Sequence, residues 1–222
     1  MIPFKDDNPT GRFPYVTVLF ISINVAVFFW ELFVSDFGVD GASMAMGAIP
    51  KNIFTLESIQ PVHPYLTVFT SMFMHGGLMH LAGNMLYLWI FADNIENLMG
   101  PVRFVIFYLM GGVFAVLAHS AVSPGSGVPM VGASGAISAV LGAYLVKYPR
   151  AKIHTLMVFG LFIQVWRIPA VIVIGFWAVI QFLNGILSPA SAGGVAWFAH
   201  IGGFFFGLVA VKMFSPTRRT QA

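Results

Sequence analysis

Hydrophobic residues in this chain come in long runs separated by short polar segments. Five runs approach the ~20 apolar residues needed to cross a ~30 Å hydrocarbon core, and a sixth, shorter one opens at Ser134. The pattern predicts transmembrane helices over residues 13–34, 79–98, 102–121, 134–148, 168–187 and 194–214. The connection from 35 to 78 is too long for a turn and is expected to carry structure of its own. It holds Asp36, Asp40 and Glu57, with a proline-containing stretch from Pro61 to Pro64. Little of the 222 residues remains for a soluble domain, so the expected fold is all-α: one polytopic bundle of six transmembrane helices. The first run is too long for a signal-peptide core and lacks a small-residue cleavage site, so it reads as a helix of the mature protein.

Composition agrees, with 58% of residues hydrophobic and only 9% charged. Six crossings that start inside leave Lys5, Arg12, Arg103, Lys147, Arg150, Lys152, Arg167, Lys212, Arg218 and Arg219 on the cytoplasmic side. Lys51 alone falls outside, a strong positive-inside bias. The net charge of +3 is thereby assigned to topology, and no nucleic-acid partner is expected. The reading is an integral multi-pass protein of the cell (plasma or inner) membrane, with both termini cytoplasmic. The absence of cysteine excludes disulfides, thiolate metal sites and a cysteine nucleophile. No feature of the sequence sets an oligomeric state.

Three polar elements interrupt the apolar runs: Gly132-Ala133-Ser134-Gly135, His80-Leu81-Ala82-Gly83-Asn84 and His200. Polar and ionisable groups at membrane depth are costly, so they are functional by default and need named partners. His80 lies 13 residues before Asp93, Ser134 13 before Lys147, and His200 12 before Lys212. At ~1.5 Å per residue all three sit about 18 to 20 Å above the inner boundary. The loop from Val122 to Ala133 must then dip inward, tolerable only against protein or a water-filled cavity. The site would open to the external side.

Gly-x-Ser-Gly opening the fourth run, His-x-x-x-Asn on the second and Ala199-His200-x-x-Gly203-x-x-x-Gly207 on the sixth resemble the rhomboid family of intramembrane serine proteases. The segment from Asp93 to Gly100 extends the likeness. The resemblance implies Ser134 as nucleophile and His200 as its general base and acid. It also implies an oxyanion hole built from the Ser134 backbone N–H and the His80 and Asn84 side chains. His75 falls where the family often has a loop histidine. Leu66-Thr67 stand where many members have Trp-Arg, and Ser138 stands where some place a tyrosine that stacks on the catalytic histidine; Trp197 or a water is the expected substitute.

Residue chemistry fits these roles. A serine hydroxyl needs a neutral imidazole within about 3 Å to take its proton. His80 and Asn84 lie one turn apart on one helix face, so two donors can converge on one oxyanion. Gly203 and Gly207 follow His200 at i+3 and i+7, and Gly135, Ala139 and Gly142 make a small-residue surface on the fourth helix; such surfaces allow the close backbone approach that could bring the ring to the hydroxyl. Gly132, Ala133, Gly135, Gly203, Gly207 and His75 are therefore expected to line or support the site. After Glu96 the chain has no Asp or Glu, which points to a Ser-His dyad. Glu31 is expected to reach headgroups or the long loop, and His63, His119 and His154 to be interfacial or structural.

A zinc protease would need His-Glu-x-x-His, and neither His75 nor His80 is followed by Glu. An aspartyl enzyme would need facing carboxylates, which only the boundary residues Glu31 and Asp93 could offer. No cofactor and no metal are expected. The expected partners are the lipid bilayer and transmembrane protein substrates, entering laterally past the fifth helix and the loop 188–193. Two other readings stay open: a catalytically inactive rhomboid-like client-binding adaptor, and a small transporter. Activity is expected to fall as His200 protonates.

Overall fold

The computed structural model describes residues 1–33, 35, 38–56, 59–160, 162–187 and 195–215, and these are mostly helical. Asp36, Glu57, Arg218, Arg219 and the loop 188–193, named above, lie outside the described residues. The first long helix, α1 (Tyr15–Phe33), is followed by three short ones within the long connection: α2 (Gly38–Met46), α3 (Pro50–Thr55) and α4 (Pro64–Thr70). Then come α5 (Leu78–Met99), α6 (Pro101–Val122), α7 (Ser134–Lys147), α8 (Ala170–Leu187) and α9 (Trp197–Phe214). Four of these, α1, α6, α8 and α9, are long and apolar enough to cross a membrane, and the protein is a multi-pass membrane protein. Helix α5 has 22 residues but carries Asp93 and Glu96 near its end, and α7 is apolar but only 14 residues long.

Local chemistry sets the helix ends. Gly100, at φ +79°, ends α5, and Pro101 opens α6 at a position where its missing N–H costs nothing. At the start of α1 the Glu96 carboxylate accepts from the Val16 N–H (2.9 Å), the Thr17 N–H (2.8 Å) and the Thr17 hydroxyl (2.8 Å). An acid from α5 thus satisfies the orphan donors at the N-terminus of α1 and complements its dipole.

Helix α7 lies at the centre, buried without interruption from Gly135 to Tyr144. Its tightest neighbour is α9. A Cβ on Gly203 would lie 2.1 Å from the Gly135 carbonyl oxygen, and one on Gly207 2.0 Å from that of Ala139. A Cβ on Gly142 would lie 2.3 Å from the Phe204 carbonyl oxygen. In lipid, where apolar side chains gain little by leaving the solvent, backbone approach of this kind supplies the dispersion contact that holds helices together. Large apolar side chains such as Phe114, Phe176, Phe182, Phe205 and Val209 point outward, as a lipid-facing surface requires.

A three-stranded antiparallel sheet joins the helices: β1 (Ile2–Asp6), β2 (Lys152–Phe159) and β3 (Phe162–Pro169), in the order β1-β2-β3. The all-α expectation placed β2 and β3 in a connection. In that connection β-branched and aromatic residues dominate, Gly160 adopts φ +60° at the turn, and Pro169 closes the pairing with Lys152. Strand propensity and turn chemistry decide a segment that lies between two hydrophobic runs. Asp6 of β1 accepts from the Tyr144 hydroxyl (2.5 Å) and the Asn94 side chain (2.9 Å), fastening the sheet to α7 and α5.

Candidate active site

Ser134 is the first residue of α7. The first intrahelical bond there runs from the Ile137 N–H to the Ala133 carbonyl (2.9 Å), so the N–H groups of Ser134, Gly135 and Ala136 precede the helical ladder. The glycine contacts between α7 and α9 bring His200 across to this end. Its Nε2 lies 2.7 Å from the Ser134 Oγ. The imidazole is held on its other side by α8, where the Gln181 Oε1 lies 2.6 Å from the His200 Nδ1. Trp197 meets the ring edge-on (88°, centroids 6.3 Å apart), and Trp177 lies beside it at 6.1 Å. Ser138, at the position of the missing tyrosine, donates its hydroxyl back to the Ser134 carbonyl at 2.6 Å.

The second group of polar residues faces the same helix end through Gly132. This residue has φ +119°, and a Cβ there would fall 2.7 Å from the His80 Nε2 and 3.4 Å from the Asn84 Nδ2. Only glycine allows both the backbone conformation and the approach. The Gly132 N–H donates to the Ser71 carbonyl (2.8 Å), and Met130 pairs with Ala48, so the long connection fixes the loop that precedes Ser134.

Behind Asn84 lies His75, fully buried, with its Nε2 2.9 Å from the Asn84 Nδ2 and its ring T-shaped against His80 at 5.2 Å. An amide nitrogen only donates, so His75 accepts here and must be neutral. Burial, reinforced by the neighbouring His80, holds the His75 ring at about 4, well below the ordinary imidazole value. The His75 backbone N–H donates to both Glu31 carboxylate oxygens at 3.2 and 3.3 Å. Glu31 is buried and ties α1 to the end of the long loop, the second of its two expected placements. A cavity of about 30 Å³, lined by Ser71, Met72, Ala115, Ser134 and Ala199 among others, adjoins the serine. It has room for a water.

The structure thus gathers Ser134, His200, Gly132, His80, Asn84 and His75 around the start of α7, with Gly135, Gly203 and Gly207 at the α7–α9 contact and Ala133 at the helix cap. Of the other histidines, His63 and His154 lie apart, whereas His119 is near enough to His200 to act on it electrostatically. His63 caps α4 through the Tyr65 N–H, His154 packs edge-on against Phe4, and His119 lies in the last turn of α6. Asp93 bonds the neighbouring Asn94, in the network that includes Asp6. Among the described residues no group of three or more His, Cys, Asp or Glu could hold a metal ion. Sequence reasoning missed Gln181. The available signal was an amide inside the apolar run from Ala170 to Leu187, polar at membrane depth like those that were noticed.

A serine hydroxyl aligned on an imidazole, beside amide and imidazole side chains and free helix N–H groups, is an arrangement suited to acyl transfer. The mitochondrial presenilin-associated rhomboid-like protein of Mus musculus is 34% identical over 146 residues, covering 62% of this chain and 35% of that protein. Rhomboid protease GluP of Bacillus subtilis is 30% identical over 142 residues, 64% of this chain and 25% of GluP. The mitochondrial Rhomboid protein 1 of Saccharomyces cerevisiae is 27% identical over 190 residues, 78% of this chain and 50% of the yeast protein. The chain therefore spans between a quarter and half of the length of these relatives. The family model for the Rhomboid domain matches residues 63–217, from the cap of α4 to beyond α9, and the chain belongs to the rhomboid family.

Proposed function

We propose that this protein is a serine endopeptidase that uses a Ser134–His200 dyad to hydrolyse peptide bonds in or near transmembrane segments of other membrane proteins. The observation that carries the reading is the 2.7 Å contact between the Ser134 Oγ and the His200 Nε2 at the start of α7. His200 takes the hydroxyl proton as Oγ attacks the scissile carbonyl carbon. The oxygen of that carbonyl becomes an oxyanion, which the Ser134 N–H and the His80 and Asn84 side chains stabilise. Collapse breaks the C–N bond, and His200 returns the proton to the leaving amine. A water then attacks the acyl-serine ester with His200 again as base, and Ser134 is regenerated. Gly132 and Ala133 shape the turn before the serine, while Gly135, Gly203 and Gly207 set the distance between the two helices.

We further propose that α5 and α7 complete a bundle of six crossings with both chain ends on the cytoplasmic side. The substrate helix enters from the lipid past α8. An α-helix hides its carbonyls, so the scissile segment must unwind locally, and helix-weakening residues near the bond favour cleavage.

The test is labelling of the purified, detergent-solubilised protein with a fluorophosphonate probe, with cleavage of a transmembrane substrate measured in parallel. Wild type should label, and Ser134→Ala and His200→Ala should lose both labelling and cleavage. Cleavage retained by Ser134→Ala would sink the enzyme reading, and a folded wild type with neither activity would favour a client-binding adaptor.

A further inference from the structure

We infer that Gln181 is the positioning residue for His200, a neutral third member that turns the Ser-His pair into a Ser-His-Gln relay; the inference rests on the proposed Ser134–His200 chemistry. Gln181 lies two thirds of the way along α8, is 6% exposed, and places its Oε1 2.6 Å from the His200 Nδ1. An amide oxygen can only accept, so the Nδ1 must carry the imidazole proton. That leaves the Nε2 lone pair to face the Ser134 hydroxyl at 2.7 Å. With no acceptor at Nδ1, the other tautomer would put N–H on Nε2, where it cannot take the serine proton.

Two further observations assign this task to Gln181. The sequence holds no carboxylate after Glu96, and Asp93 and Glu96 are engaged at the far end of α5 with Asn94 and the start of α1. Ser138, on the helix turn below the nucleophile, spends its hydroxyl on the Ser134 carbonyl. Trp177 and Trp197 border the ring and limit its tilt, but an aromatic face or edge selects no tautomer. A neutral acceptor also suits the depth. A carboxylate there would carry a desolvation cost, whereas an amide orients the ring and, once His200 holds two protons, offers its carbonyl dipole to the cation.

The test combines 15N NMR of the histidine side chains with the kinetics of fluorophosphonate labelling. In wild type, His200 should be the Nδ1–H tautomer with a hydrogen-bonded, downfield proton. A wild-type Nε2–H tautomer would overturn the inference without any variant. Gln181→Met keeps the length and removes the amide oxygen; its maximal labelling rate should fall roughly 10- to 100-fold, the size of one hydrogen bond to an ionising group, with the half-saturating probe concentration nearly unchanged. Gln181→Glu, which restores an oxygen at the same place, should recover most of the rate. Equal impairment of both variants with the wild-type tautomer pattern would mean that Gln181 only packs, and an unimpaired Gln181→Met would remove it from the mechanism. Ser134→Ala and His200→Ala run alongside: if they also label like wild type, the dyad reading itself has failed.

Discussion

At the scale of single residues, the proposed oxyanion donor Asn84 rests on a side chain behind it, His75. Asn84 has one amide hydrogen on the His75 Nε2, which leaves its other hydrogen for the proposed oxyanion, with the amide nitrogen close beside Gly132. His75→Ala should therefore lower cleavage by about 10-fold, less than the ~10² to 10³ expected for losing a donor outright; unchanged turnover would show that Asn84 needs no support. The same histidine has a stability signature. Its folded value of about 4 lies below the ordinary 6.5, so between those pH values the unfolded chain binds the proton and the folded chain does not. Stability from this group is complete above about 6.5 and is lost as pH falls toward 4. The drop in Tm between pH 7 and pH 5 should be smaller in His75→Gln than in wild type, and equal drops would contradict it. The polar residues of this site stand out in sequence because each interrupts an apolar run. What a linear reading lacks is the rotation of each helix about its axis. The partnerships Gln181–His200 and Glu31–His75 depend on that rotation, so Gln181 drew no attention and Glu31 could be placed only against headgroups or the long loop.

Among the helices, α8 is the one with the most to lose or gain by moving. It packs chiefly on α9, and Phe176, Val179, Phe182, Leu183 and Ile186 face outward. If substrate enters past it, tethering α8 to α9 should stop proteolysis while sparing the chemistry at Ser134. The chain offers a clean way to do this, since it has no cysteine. A Cβ on Gly185 would lie 3.4 Å from the Trp197 Cβ, close to the ~3.5 to 4.5 Å that a disulfide spans. In Gly185→Cys/Trp197→Cys, oxidation should abolish cleavage of a transmembrane substrate and leave fluorophosphonate labelling near that of the reduced form, with reductant restoring cleavage. The reduced double variant is the reference, because Trp197 also touches His200. Cleavage that continues in the oxidised form would place entry elsewhere. Hydropathy could mark α8 as a lipid-facing helix from composition alone. The β2–β3 hairpin just before it was not readable that way, because strand pairing with β1 joins residues about 150 positions apart and leaves no periodic trace in either hydrophobic run.

Across the whole molecule, polar networks close the bundle at both ends of its central helix. At one end stands the Ser134 site; at the other, the Tyr144 hydroxyl and the Asn94 side chain converge on Asp6, whose strand pairs with β2. Asn8 also bonds Asn94, and Glu96 holds the start of α1, so the beginning of the chain is tied to α5 and α7 before the first helix leaves. Burial raises the Asp6 carboxyl above its ordinary range, and the negative Asp7 beside it adds to this, against the stabilising bond from Tyr144. The sign follows from linkage. A carboxyl raised on folding keeps its proton longer in the native state, so its ionisation costs stability as pH rises through the raised value, and that cost is fully present above it. Asp6→Asn removes the ionisation and keeps an oxygen for Tyr144. Its Tm should match or exceed wild type at pH 7.5, and the difference should shrink as pH falls through the raised value, below which the wild-type carboxyl is itself protonated. A variant less stable at neutral pH would mean that the charge is needed at this joint. Labelling of Ser134 should stay unchanged in either case, because the ten-residue rise of α7 from Ser134 to Tyr144 separates the two networks by about 15 Å.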